Sequence, residues 1–276
     1  MAVNINPVEN HREREKGVIV YPVYSRRSAG LSIGINLFPD KKKCQFNCPY
    51  CEVFPFSSNS EFSLEQMEID LQNTITSALE RDITIKDICF SGNGEPTLSP
   101  AFADALKLAE NIRAEMTPSS QTVIITNGTG LLQPDVFSTL NAAAKNPSLN
   151  IWLKLDAGTK YWFDKMNRCA LSYEEIINKI KEFTSRSIVT IQTMLCAIDG
   201  EQPPKSEEQV WEKLVYGLIA NTEGGVRKVQ LYGKARQAPE DPLASELPAE
   251  YLEKRAASLR RMFAAKNITT PVEVYI

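Results

Sequence analysis

The chain has 276 residues, 43% of them hydrophobic and 24% charged, with a formal net charge of −3. This is an ordinary globular composition, and its balance gives no support to a broad nucleic-acid-binding surface, so DNA is not an expected partner. No apolar run approaches the roughly 18–20 residues that span a bilayer, and "MAVNINPVENHREREKG" lacks the layout of a secretory signal. The expectation is a soluble, cytoplasmic protein with no membrane partner. Residues 1–19 read as a polar arm and 20–276 as one core domain.

"GVIVYPVYS" (17–25) offers a short strand, and "LSIGINL" (31–37) is the first strand of the core. The cysteine-rich stretch "KKKCQFNCPYCEVFPF" follows directly. Residues 63–80 predict a helix with Leu64, Met67, Leu71, Ile75, Ala78 and Leu79 on one face and Ile69 off it. Ser63 and Gln66 fit a capping box at its start. Strands are then predicted at 85–92, 122–128, 149–156, 187–195 and 226–233, with a last one at 271–276. Helices are predicted at 101–116, 134–146, 172–184, 207–221 and 249–267. Ile176, Ile177, Ile180 and Phe183 form the inward face of the helix at 172–184. Six alternations of strand and helix, with apolar-rich strands, predict a parallel sheet covered on both faces. Either a doubly wound sheet or an incomplete barrel satisfies this pattern.

The chemically distinctive residues cluster at the C-terminal ends of these strands. The cysteines follow the first, "GNGEP" the second and "TNG" the third. "KLDAG" ends the fourth, "QTM" lies in the fifth and "QLYGKAR" ends the sixth. Parallel strands put those ends on one face, where α/β proteins bind ligands.

Cys44, Cys48 and Cys51 are spaced C-x3-C-x2-C; Cys89, Cys169 and Cys196 are isolated. Buried structural thiols, a disulfide, a zinc site and an iron–sulfur cluster all compete for the triplet. A disulfide would leave one thiol over and needs an oxidising compartment. Zinc wants a fourth ligand, and the one histidine, His11, lies far upstream, although Cys89 could reach. A four-iron cluster held by three thiolates keeps one iron open.

The spacing, with the aromatic Tyr50 just before the last cysteine, resembles the signature of the radical S-adenosylmethionine (radical SAM) superfamily. The resemblance implies an α/β partial (β/α)6 barrel of parallel strands, a [4Fe-4S] cluster on Cys44, Cys48 and Cys51, and SAM on the open iron. It also implies an external electron donor such as flavodoxin or ferredoxin. "GNGEP" resembles the superfamily's glycine-rich element for the methionine end of SAM, which assigns Gly92, Asn93, Gly94 and Glu95 to cofactor binding. The two glycines allow close backbone approach, and Glu95 can pair with an ammonium. Asn127 in "TNG", Lys154 and Asp156 in "KLD", Gln192 in "QTM", Tyr50 and the backbone near Leu231 complete the expected SAM site. Asp156 could accept a ribose hydroxyl or cap a following helix. Of Gln192 and Thr193, one faces inward, with Gln192 the expected one.

Longer stretches, among them "YPVYSRRSAGLSIGINLFP", "LKLDAGTKYWFDKMNR" and "VQLYGKARQAPEDP", resemble a subgroup of Fe–S oxidoreductases related to the wyosine-forming tRNA enzymes. The chain departs from those enzymes in having no cysteine before Cys44, so a second cluster is not supported. Arg26, Arg27 and Arg236 are the expected substrate contacts, while Lys41, Lys42 and Lys43 read as a solvated run. The expected activity is reductive cleavage of SAM to a 5′-deoxyadenosyl radical that acts on a small molecule or an RNA base. A glycyl-radical-type activase and a zinc-stabilised binding module are the alternatives.

Overall fold

The computed structural model describes residues 17–53, 55–220, 225–236, 238 and 241–276. Most of the polar arm expected at 1–19, and the end of the helix expected at 207–221, therefore lie outside the described residues. The chain divides into two compact units.

The first unit comprises the described residues within 1–44, 55–126 and 146–150. It holds β1 (Val20–Ser25), β2 (Gly30–Ile35), α1 (Leu64–Leu79), β3 (Ile85–Phe90), α2 (Phe102–Met116) and β4 (Gln121–Thr126). β1 runs antiparallel to β2, and β2, β3 and β4 are mutually parallel neighbours in chain order. The centre of the α1 stripe is buried where periodicity puts it: Met67, Leu71, Ile75 and Ala78 are wholly inaccessible and Ile69 is exposed, but at the helix ends Leu64 is only half-buried and Leu79, expected inward, is exposed. Ser63 accepts from Gln66 N at 3.2 Å. The Gln66 side chain, expected to reach back to Ser63 N, donates through Nε2 to Asp70 one turn on, at 2.8 Å. Phe90 packs edge-on against Phe102 with ring centroids 5.9 Å apart, fastening α2 to β3.

The second unit comprises the described residues within 45–54, 127–145 and 151–276. It holds α3 (Pro134–Ala143), most of β5 (Leu149–Lys154), α4 (Lys160–Met166), α5 (Tyr173–Thr184), β6 (Ile188–Ile198) and α6 (Lys205–Ala220). β7 (Gly225–Gly233), β8 (Ala244–Glu246), α7 (Ala249–Ala265) and β9 (Val272–Tyr275) follow. β5, β6, β7 and β9 are parallel neighbours, and β8 pairs antiparallel with β6. After its first residue β6 is buried along its whole length, the run of a strand covered on both faces. The predicted inward face of α5 is buried, and Phe183 meets Phe137 edge-on at 5.4 Å.

α4 and β8 had no counterpart in the predicted elements. "KYWFDKM" is only seven residues long, too short for its period to declare itself. Its cap is Thr159, which accepts from Trp162 N at 3.2 Å; Asp156 does not cap it. In both units the parallel strands bring the distinctive loops to their C-terminal ends, except that Gln192 lies midway along the eleven-residue β6.

Candidate active site

In the first unit the segment leaving β2 is sewn onto the loop leaving β3. Asn36, buried at the end of β2, accepts through Oδ1 from Phe38 N and Asn93 N, each at 3.1 Å. Asn93 Nδ2 donates back to Phe38 O at 3.2 Å. Lys43 N donates to Asn93 O at 3.0 Å, and Glu95 N donates to Lys43 O at 2.9 Å. A Cβ on Gly94 would lie 1.9 Å from Lys43 O, and one on Gly92 would lie 2.9 Å from Asn36. At Gly94 the close approach is thus made by the chain's own backbone on the way to Cys44, and at Gly92 by the Asn36 side chain. Lys43 is part of this knot through its main chain, although its side chain is exposed as expected.

Glu95 is buried, and its Oε1 accepts from Thr97 N at 3.2 Å, Thr97 Oγ1 at 2.6 Å and Thr126 Oγ1 at 2.8 Å. Arg26 and Arg27 occupy the turn between β1 and β2. That turn is at the N-terminal end of β2, so the structure places both arginines at the strand ends opposite the Asn93 loop. Their expected position on the active face is corrected: the β1–β2 hairpin reverses the chain before the core strands begin.

In the second unit the cysteine loop is fastened at several points. Gln45 Oε1 accepts from Thr129 Oγ1 at 2.6 Å, and Asn127 Oδ1 accepts from Thr129 N at 2.9 Å. Asn127 therefore shapes the turn after β4 that receives Gln45. The Phe46 ring stands edge-on to Phe163 of α4 at 5.5 Å. Arg236 pairs with Glu52 at 2.7 Å, so it does reach this loop.

Asp156 is the hub of the second unit. Its Oδ2 accepts from the Tyr50 hydroxyl and from Asn167 Nδ2 at 3.1 Å. Its Oδ1 accepts from Met194 N at 2.9 Å and pairs with Lys154 Nζ at 3.0 Å. A carboxylate has about four lone-pair sites, and these partners take them all. The expected ribose contact at Asp156 is corrected accordingly: the carboxylate is committed to the protein. Lys154 also donates to the Tyr232 hydroxyl, and its Nζ stands 5.0 Å from the Tyr50 ring centroid and 4.7 Å from that of Tyr232. Burial works to lower the Lys154 pKa, but Asp156 and Tyr232 outweigh it, and the ammonium is held above its ordinary value. Burial, reinforced by Asp156, pushes the Tyr50 phenol well up.

Gln192 is wholly buried and donates to Gln230 Oε1 at 2.7 Å. Lys154, Gln192, Gln230 and Glu273 stand opposite one another across β5, β6, β7 and β9. Thr193 instead donates to Leu155 O at 2.8 Å. Leu231 is buried within β7. Asn36, Asn167 and Gln230 were absent from the sequence-derived site; an asparagine closing an apolar strand, "GIN", was the one available signal.

Cys44, Cys48 and Cys51 are each partly exposed and none forms a disulfide. Among the described residues no group of three Cys, His, Asp or Glu is gathered as a ready metal site. Burial, then Asp156, pushes the Cys48 thiol up to about 12. The donor set still fits a cluster: three soft thiols, partly exposed and outside any disulfide, whose deprotonation accompanies metal binding. Cys89 and Cys196 are buried, as expected of structural thiols, whereas Cys169 is partly exposed.

No protein-family model matches the chain. A UPF0026 protein of Helicobacter pylori (strain ATCC 700392 / 26695) is 32% identical over 191 residues, 67% of this chain and 56% of the relative. A UPF0026 protein of Synechocystis is 28% identical over 186 residues, 63% of each. The chain thus spans less than two thirds of these relatives. Among solved structures, a radical SAM methyltransferase from Sphaerobacter thermophilus matches with a TM-score of 0.63 at 14% identity, covering 92% of this chain and 68% of that one. Streptococcus suis SuiB bound to S-adenosylmethionine matches at 0.62 and 13% identity, covering 85% and 48%. Spore photoproduct lyase complexed with dinucleoside spore photoproduct matches at 0.55 and 11% identity, covering 92% and 78%. The fold is that of these enzymes, an α/β partial barrel of mostly parallel strands. No helix among the described residues is long and apolar enough to cross a membrane.

Proposed function

We propose that the protein is a radical SAM enzyme acting on a small molecule or an RNA base. The observation that carries this reading is a three-cysteine C-x3-C-x2-C loop following β2 in this fold, with a glycine-rich loop following β3. Cys44, Cys48 and Cys51 would hold a [4Fe-4S] cluster. The chemistry that cluster and SAM supply together when bound is one-electron cleavage of the sulfonium, giving methionine and a 5′-deoxyadenosyl radical. The electron would come from a donor of the flavodoxin or ferredoxin class.

The chain's own part is to bind and orient. The Gly92–Glu95 loop would take the methionine end, with its shape kept by the Asn36 and Lys43 bonds. Tyr50 and the β7 backbone near Leu231 would wall the adenine. Lys154, Gln192 and Asn127 would line the same pocket, with Asp156 holding Tyr50 and Lys154 in register. Arg236 is the remaining substrate contact. The finer kinship to wyosine-forming enzymes belongs to this proposal as well, and it favours a base or a small anionic metabolite as substrate.

Anaerobic reconstitution tests the reading. The expected product is a brown protein that forms 5′-deoxyadenosine from SAM under a one-electron reductant. Cys48→Ala is expected to lose both iron and cleavage, and Cys169→Ala to keep both. Cleavage surviving in the Cys48 variant, or a colourless protein carrying zinc, would overturn it.

A further inference from the structure

We propose that Asn167 is a positioning residue that sets the reduction potential of the cluster by hydrogen-bonding one of its sulfur ligands. This rests on the cluster assignment above. Asn167 ends α4 and is 2% exposed. Its Nδ2 donates to Cys48 Sγ at 3.6 Å and to Asp156 Oδ2 at 3.1 Å. Its carbonyl accepts from Asn47 N at 2.9 Å, fixing the residue just before Cys48. The amide thus spends both hydrogens on two acceptors and its main chain on the same loop.

The orientation of that amide is determined rather than free. Turning it over would set its oxygen against the Asp156 carboxylate, acceptor against acceptor, beside a buried charge. Asp156 is itself held by Tyr50, Lys154 and Met194, so it cannot swing away. The N–H end must face both the carboxylate and the sulfur. The backbone supports the same placement: Asn167 N donates to Phe163 O at 2.8 Å, and Arg168 ends the helix with a φ of 46°. A left-handed residue there turns the chain out of α4 and leaves Asn167 at its rim.

A donor on a ligating sulfur draws electron density from it. Adding an electron to the cluster adds negative charge, and a sulfur-directed donor stabilises that form and raises the potential. Asn167 would act through the Cys48 sulfur that it hydrogen-bonds.

The test is a redox titration followed by EPR, with dithionite as the one-electron reductant, on the reconstituted chain and on Asn167→Leu. The expected result is a midpoint shifted to more negative potential in the variant at unchanged iron content. An unchanged midpoint at full iron content overturns the proposal while leaving the cluster reading intact. A wild-type chain that takes up no iron sinks both. Should the variant alone lose iron, hyperfine spectroscopy of the wild-type cluster, with nitrogen-15 in asparagine side-chain amides, decides. A coupled amide nitrogen supports the contact, and its absence overturns it.

Discussion

Asp156 accepts from four donors that belong to the cysteine loop, the end of α4, β6 and β5. A buried carboxylate so placed is stable only while every partner stays. Gly94 is constrained as tightly, but by space. Gly94→Ala forces a methyl group against Lys43 O, which is backbone and cannot yield cheaply. We expect a loss on the order of 3 kcal/mol in urea denaturation, together with impaired cluster uptake. A variant of wild-type stability would show that the Lys43 segment is free to move. The need for glycine here was legible from "GNGEP"; the identity of the group that crowds it was not. Asn167 could not be found at all, because a lone asparagine before "RCA" has no motif and its partners are 11 and 119 positions away in the chain.

α6 shows how an element outside the strand-end loops shapes one of them. Trp211 Nε1 donates to Leu155 O at 2.9 Å, and Glu207 accepts from Gly158 N and the Thr159 hydroxyl. A Cβ on Gly158 would lie 2.3 Å from Trp211 N, so α6 rests directly on the loop that carries Asp156. Burial is the largest influence on Glu207 and raises its pKa above the ordinary 4.5, against the hydrogen bonds from Gly158 and Thr159. The folded protein therefore binds this proton more tightly than the unfolded chain does. Stability is fully favoured below pH 4.5 as far as this group is concerned, and is lost as pH rises through the raised value. Glu207→Gln keeps an acceptor for Gly158 and removes the titration. Urea midpoints of the variant should fall less between about pH 4.5 and pH 7 than those of the wild type. Parallel slopes would refute the linkage. α1 and α5 were legible because 16 and 12 residues display several turns of period. α4 and β8, at seven and three residues, show too little of any period.

On the scale of the whole molecule, a fold shared at 11–14% identity is kept by pattern rather than by particular side chains. Continuous apolar strands, helices with one buried stripe, and glycines where the backbone crowds are all visible in a single sequence. Partners brought together over long separations, such as Gln192 with Gln230, are not. The unequal exposure of the six cysteines has a practical consequence. Cys89 and Cys196 are buried, and Cys44, Cys48, Cys51 and Cys169 are partly exposed. Alkylation of the native iron-free chain should label four sulfurs, with Cys48 slowest because only a thiolate attacks. After iron loading the tally should drop to one, at Cys169. Mass spectrometry of labelled peptides would then serve as a footprint, reporting occupancy of the cysteine loop without reference to colour or turnover.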